Sequence, residues 1–138
     1  MNVTKNFIQI IKLAEHEANL AALLKNKKCF FAYIHGAYDQ QTNKSWCSDC
    51  DVAKPVVEKQ LDKLEDKKNF VFAKFPIETS AEWKNPQYVY RTNKFKVTSV
   101  PTLIFYNKGV EMIRLVEDQL FDESNVAEFF DDCLAQDD

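Results

Sequence analysis

The chain of 138 residues is 46% hydrophobic and 13% aromatic with only two glycines and four prolines, which excludes a disordered or linker-like segment and suits one domain with its own core. Its formal charge of −3, with basic residues scattered among acidic ones, leaves no cationic stripe for a phosphate backbone, so nucleic acid is not an expected partner. No window approaches the ~18 continuous apolar residues of a membrane-spanning helix, and the first residues interleave apolar with charged side chains where a signal peptide would run apolar; the expectation is a soluble, cytoplasmic monomer with no membrane partner.

Over residues 5–26, Phe7, Ile10, Ile11, Ala14, Ala18, Ala21 and Leu24 recur three or four apart, which predicts an amphipathic helix. The aromatic run CFFAYIH at 29–35 lacks alternation and predicts a strand buried on both faces. A polar, aperiodic loop at 36–45 leads into Trp46 and the sequence Cys47-Ser48-Asp49-Cys50. From Asp49 onward Val52, Val56, Val57, Leu61 and Leu64 return at helical intervals, with Pro55 expected to kink the helix. A second buried strand is predicted at 69–77, then a short, irregular helical connection at 80–96. The runs 97–106 and 110–116 around Asn107-Lys108-Gly109 predict a hairpin, and Val126, Phe129, Phe130, Cys133 and Leu134 line a closing helix capped by Asp122 or Ser124. Strands joined through a crossover helix are parallel and hairpin strands antiparallel, so the predicted fold class is α/β, a mixed sheet of four to five strands flanked by about four helices. The loop after the first long strand then delivers the cysteines to the carboxyl edge of the sheet, where α/β proteins react.

Only a thiolate attacks a disulfide, and an ordinary cysteine is mostly protonated at neutral pH. At a helix N-terminus the unpaired N–H groups and the positive pole favour the charged form, and pKa values of ~3.5–7.5 are typical of such sites. If Cys47 sits there, Cys50 lies one turn deeper and within reach of a disulfide. A C-x-x-C is also half of a zinc site, but Cys29, Cys133, His16 and His35 offer no second pair at ligand spacing, so no metal is expected. Cys29 and Cys133 fall on apolar runs and read as core; His16 reads as a solvated helix residue, and His35 as structural or as a tuner of Cys47. Trp46 reads as a shield over the pair or a platform for substrate, Trp83, Tyr88 and Tyr90 as a satellite cluster, and the acidic end at 131–138 as solvated helix.

Trp46-Cys47, Pro55 in the following helix and Val100-Pro101-Thr102 at the start of a later strand resemble the thioredoxin fold. The stretches FAYIHG, KSWC, PVV, WKNP and KVTSVPTL are similar to those of the thioredoxin domain-containing protein 17 family, whose motif usually reads WCPDC. This resemblance implies a thioredoxin-like disulfide reductase that binds no cofactor itself, takes electrons from NADPH through a thioredoxin reductase and acts on protein or small-molecule disulfides. It also implies Cys47 as nucleophile, Cys50 as resolving thiol, and a cis Pro101 facing them; a cis bond is affordable mainly before proline, and it would turn the Val100 backbone toward a substrate strand, beside Trp46. Ser48 stands where that family usually has proline, so Ser48 and Asp49 are expected to tune the pair. Ala32 stands where ordinary thioredoxins carry a buried aspartate, which leaves proton transfer at Cys50 to water or to Asp49. The competing expectation is a redox-sensitive binding module without turnover.

Overall fold

The computed structural model describes residues 7–25, 29–64 and 70–135. Among them, five strands form one sheet in the order β1-β3-β2-β4-β5: β1 (Ile8–Ile10), β2 (Cys29–Gly36), β3 (Phe70–Ile77), β4 (Thr102–Asn107) and β5 (Val110–Val116). The helices are α1 (His16–Lys25), α2 (Ser48–Asp62), the short α3 (Ser80–Lys84) and α4 (Val89–Thr92), and α5 (Glu123–Ala135). Strands β2 and β3 run parallel on either side of the α2 crossover, and β4 is antiparallel to both β2 and β5.

All of β2 is buried, because successive side chains feed two cores. Phe30, Ala32 and Ile34 pack with Leu20 of α1 and Tyr90 of α4 on one face, whereas Phe31 and Tyr33 meet Val57 and Leu61 of α2 and Phe129 and Phe130 of α5 on the other. Phe31 sits at the centre of the second core: five phenylalanine rings, those of Phe70, Phe72, Phe105, Phe129 and Phe130, lie with centroids 4.9–6.0 Å from its own.

The predicted first helix is corrected by the structure. Residues 8–10 form β1, parallel to β3 through the register Ile8↔Phe72, and the helix begins only at His16 after a 3-10 turn at Leu13–Glu15. The outer edge of β3 supplies the reason: the Phe72 amide donates to the Phe7 carbonyl at 2.7 Å and the Ile11 amide to the Lys74 carbonyl at 2.8 Å, pairing groups that a helix would leave bare. Phe7 and Ile11 accordingly enter opposite cores, while Ala18 and Ala21, predicted to face inward, are exposed. Residues 5, 6 and 26 of that expectation lie outside the described residues, as do Asn69 of the predicted second strand and 136–138 of the acidic end.

The helix through Pro55 is continuous from Ser48 to Asp62. The strand expected over 97–106 begins only at Thr102; Pro101 has no amide to donate to a ladder, and the Val97 amide turns to the Tyr90 carbonyl instead. In the hairpin, Asn107 pairs with Val110, and Lys108 and Gly109 take φ of 54° and 80°, the two left-handed positions of a tight I′-like turn. Asp122 caps α5 by accepting from the Asn125 amide at 3.1 Å. No helix among the described residues is long and apolar enough to cross a membrane.

Truncation of the central ring tests this packing. Phe31→Ala is expected to lose about 3–5 kcal/mol of stability in guanidinium unfolding, as a buried aromatic replaced by a cavity does.

Candidate active site

The site forms where β2 ends and α2 begins. Cys47 is the N-cap of α2, with extended backbone (φ −99°, ψ 106°), and Cys50 lies in the first helical turn; their sulfurs are joined in a disulfide, with Cα atoms 5.2 Å apart. Each sulfur receives one backbone N–H. The Cys50 amide donates to the Cys47 sulfur at 3.1 Å, and the Gly36 amide to the Cys50 sulfur at 3.3 Å. Cys47 keeps 7% of its surface exposed and Cys50 none, so approach from outside is possible at only one of the two.

Gly36 is essential to this closeness. A Cβ at that position would stand 2.5 Å from the Ser45 hydroxyl and 2.9 Å from both the Cys47 Cβ and the Trp46 ring, distances at which neighbours must move. The expected loop at 36–45 is a folded one, closed by a bridge between Tyr38 and Ser45 and centred on Asp39, whose carboxylate accepts from the amides of Gln41 and Thr42. It is pinned to α2 by the Ser45 amide on the Asp51 carboxylate (2.9 Å), by Lys54 on Asn43 (3.1 Å) and by the Tyr38 hydroxyl on the Cys50 carbonyl (3.0 Å). At its end the Ser45 hydroxyl accepts from the Cys47 amide, and the half-buried Trp46 donates its indole N–H to the Ile77 carbonyl at the tip of β3 (2.8 Å).

The other residues singled out from sequence divide. The Val100–Pro101 bond is cis, both residues are buried, and the Val100 carbonyl lies 3.8 Å from the Cys47 sulfur. Ser48 is exposed and Asp49 half-buried, and neither side chain hydrogen-bonds a sulfur. The carboxylate tied into the site is Asp51, which sequence reasoning did not single out. Gly36, Tyr38 and Ser45 were also missed as site residues; only the glycine at a strand end carried a signal. Ala32 is fully buried in the same core as both cysteines, so no carboxylate stands at that point. Cys29 and Cys133 are buried in the opposite core, where burial pushes the Cys133 thiol up to about 12.

His35, beside Gly36 on the α2 face of the sheet, is 4% exposed and stacks between Tyr33 and Tyr38. Burial lowers its pKa to about 4; a 2.7 Å bond from Nδ1 to the Gly36 carbonyl opposes the shift and Lys74 adds to it. A folded-state pKa below the unfolded value near 6.5 means that the unfolded chain binds the extra proton first. The stability held by neutral His35 is therefore intact above pH 6.5 and lost as pH falls toward 4, on the order of 3 kcal/mol. His35→Gln is expected to flatten the pH 7 to 4 stability profile by that amount relative to the native chain in denaturant titrations. In the same assay Gly36→Ala is expected to cost about 1–3 kcal/mol by overpacking.

Comparison with known proteins agrees with this geometry. The profile of the thioredoxin domain of thioredoxin domain-containing protein 17-like proteins matches residues 9–132. Mouse thioredoxin domain-containing protein 17 is 31% identical over 107 residues, which is 78% of this chain and 84% of the relative. The human protein of that name is 36% identical over 88 residues, 64% of this chain and 68% of the relative. Thioredoxin O2 from Arabidopsis thaliana, in its oxidized crystal structure, superimposes with a TM-score of 0.65 at 20% identity, covering 95% of this chain and 97% of that one; at such identity the likeness shows the fold alone. With a thioredoxin fold, a cysteine pair of the thiol–disulfide redox type and a profile match over nearly its whole length, the chain belongs to the thioredoxin domain-containing protein 17-like family.

Proposed function

We propose that this protein is a cytosolic disulfide reductase in which Cys47 attacks and Cys50 resolves. The observation that carries this reading is the asymmetry of a bonded pair: the cysteine at the helix tip keeps some of its surface exposed, while its partner keeps none. In the reduced state the Cys47 thiolate is favoured by the Cys50 amide and by the positive end of α2. It attacks one sulfur of a substrate disulfide and expels the other as a thiolate, which takes up a proton. Cys50 then gives up its proton, attacks the Cys47 sulfur and releases the second substrate thiol. The substrate gains two electrons and two protons, and the pair is left as the disulfide. The Gly36 amide is placed to favour the Cys50 thiolate at that moment, in the absence of a carboxylate at Ala32.

Reduction of the pair calls for an external donor, for which the family resemblance supports NADPH acting through a thioredoxin reductase; this chain binds no cofactor in the scheme. The Val100 backbone beside Cys47 suits main-chain pairing with an extended substrate, with Pro101 behind it and the Trp46 ring on the flank. Ser48 and Asp49 border the helix tip and tune the pair through their dipole and charge. The folded loop at 36–45 adds a wall on the same side, which favours a narrower set of substrates than an ordinary thioredoxin takes.

Disulfide turnover coupled to NADPH and a thioredoxin reductase tests the scheme. Cys47→Ser is expected to abolish turnover, and Cys50→Ser to accumulate a mixed disulfide on Cys47 visible on non-reducing gels. Turnover that survives Cys47→Ser would overturn the reading.

A further inference from the structure

Between α2 and the β1–β3–β2 part of the sheet lies a cavity of about 420 Å³, lined in part by Tyr38, whose hydroxyl holds the Cys50 carbonyl. The size is that of a small-molecule site, and Ile10, Val57, Leu61 and Pro76 give it apolar walls. Two polar groups meet in it. Tyr33 and Lys74 are register partners on adjacent parallel strands, so their side chains leave the sheet together on the α2 face. The Tyr33 residue is 3% exposed, and its hydroxyl approaches that of Tyr38 without closing a full hydrogen bond to it. Among the described residues no carboxylate lies within ion-pair distance of the Lys74 ammonium; Glu58, the acid that acts on it, is paired with Lys54 at 3.7 Å.

The register sets the Tyr33 hydroxyl and the Lys74 ammonium in one cavity, where both can donate to a single acceptor. The remaining charged lining residues are Lys12, Lys54, Glu58 and Glu78, so three lysines against two glutamates leave one positive charge, with His35 neutral beside them. We propose that this cavity is a binding site for a small organic monocarboxylate, its carboxylate held by the Tyr33 hydroxyl and the Lys74 ammonium and its apolar body lying against Val57 and Leu61. Burial lowers the Lys74 pKa, with Glu58 opposing, and a bound carboxylate would reverse that shift. The site is separate from the cysteine pair and does not depend on the reductase reading.

Phenylacetate serves as the probe carrying both features, 2-phenylethanol as the body without the charge, and acetate as the charge without the body. Calorimetry and amide NMR titrations on the full oxidised chain are expected to show saturable phenylacetate binding, at least about tenfold tighter than either control, as a charge-assisted hydrogen bond in a partly dry site predicts. Shifts should concentrate at Tyr33, His35 and Lys74. Tyr33→Phe, which keeps the ring, is expected to weaken binding about tenfold, and Lys74→Met to erase the preference for the acid over the alcohol. Circular dichroism checks that both variants fold. Equal affinity for phenylacetate and 2-phenylethanol, shifts confined to other surfaces, or no saturation by about 10 mM would each overturn the proposal.

Discussion

At the carboxyl end of β2 the backbone of Gly36 comes so near the start of α2 that no side chain fits between them, and the rest of the site inherits that closeness. The amide freed by the missing Cβ reaches the inner sulfur, the loop end at Ser45–Cys47 can cross directly above the strand, and the N-cap falls on Cys47 and not a residue later. A helix that started one position further along would leave Cys47 ahead of the cap, and its sulfur would lose the N-cap bond from the Cys50 amide. The loop contacts on Asp51, Lys54 and the Cys50 carbonyl hold that starting point from the other side.

The electrostatics of the tip pull in two directions. Unpaired amides favour negative charge on the sulfurs, yet Asp49 and Asp51 already place carboxylates in the first turn. One of these is occupied, since the Asp51 carboxylate accepts from the Ser45 amide. The inner sulfur has no acid beside it at Ala32, so a local N–H supplies what a titrating group would otherwise supply. A hydrogen-bond donor of fixed protonation acts over a wide pH range. The titratable group nearest the strand end, His35, is held neutral by burial and points to the other face of the sheet.

Legibility followed the range of the interactions. The strands β2 and β3, the hairpin and the closing helix could be read because hydrophobic runs and turn residues are local signals, and the cysteine spacing carried the chemistry of the pair. The three residues of β1 could not. Their apolar pattern suits a helix equally well, and what decides between the two is the unpaired edge of a strand more than sixty positions away. The same holds for the missed site residues: the hydroxyl of Tyr38 finds the Cys50 carbonyl twelve positions on, and Gly36 finds the Cys50 sulfur fourteen on. The cis bond before Pro101 was legible through the family resemblance, supported by the low cost of a cis bond before proline.

The sheet divides the interior into two chambers, and the division separates two properties that often compete. The sulfurs and Val100 belong with Phe30, Ala32 and Ile34, whereas the phenylalanine cluster around Phe31 lies behind the strands with α5. Lineages can therefore exchange ring for ring in the rear chamber, making the chain more or less robust to heat, while the front chamber keeps its chemistry. Robustness and reactivity become nearly independent dials, coupled chiefly through α2, which enters one chamber at Cys50 and the other at Ala53.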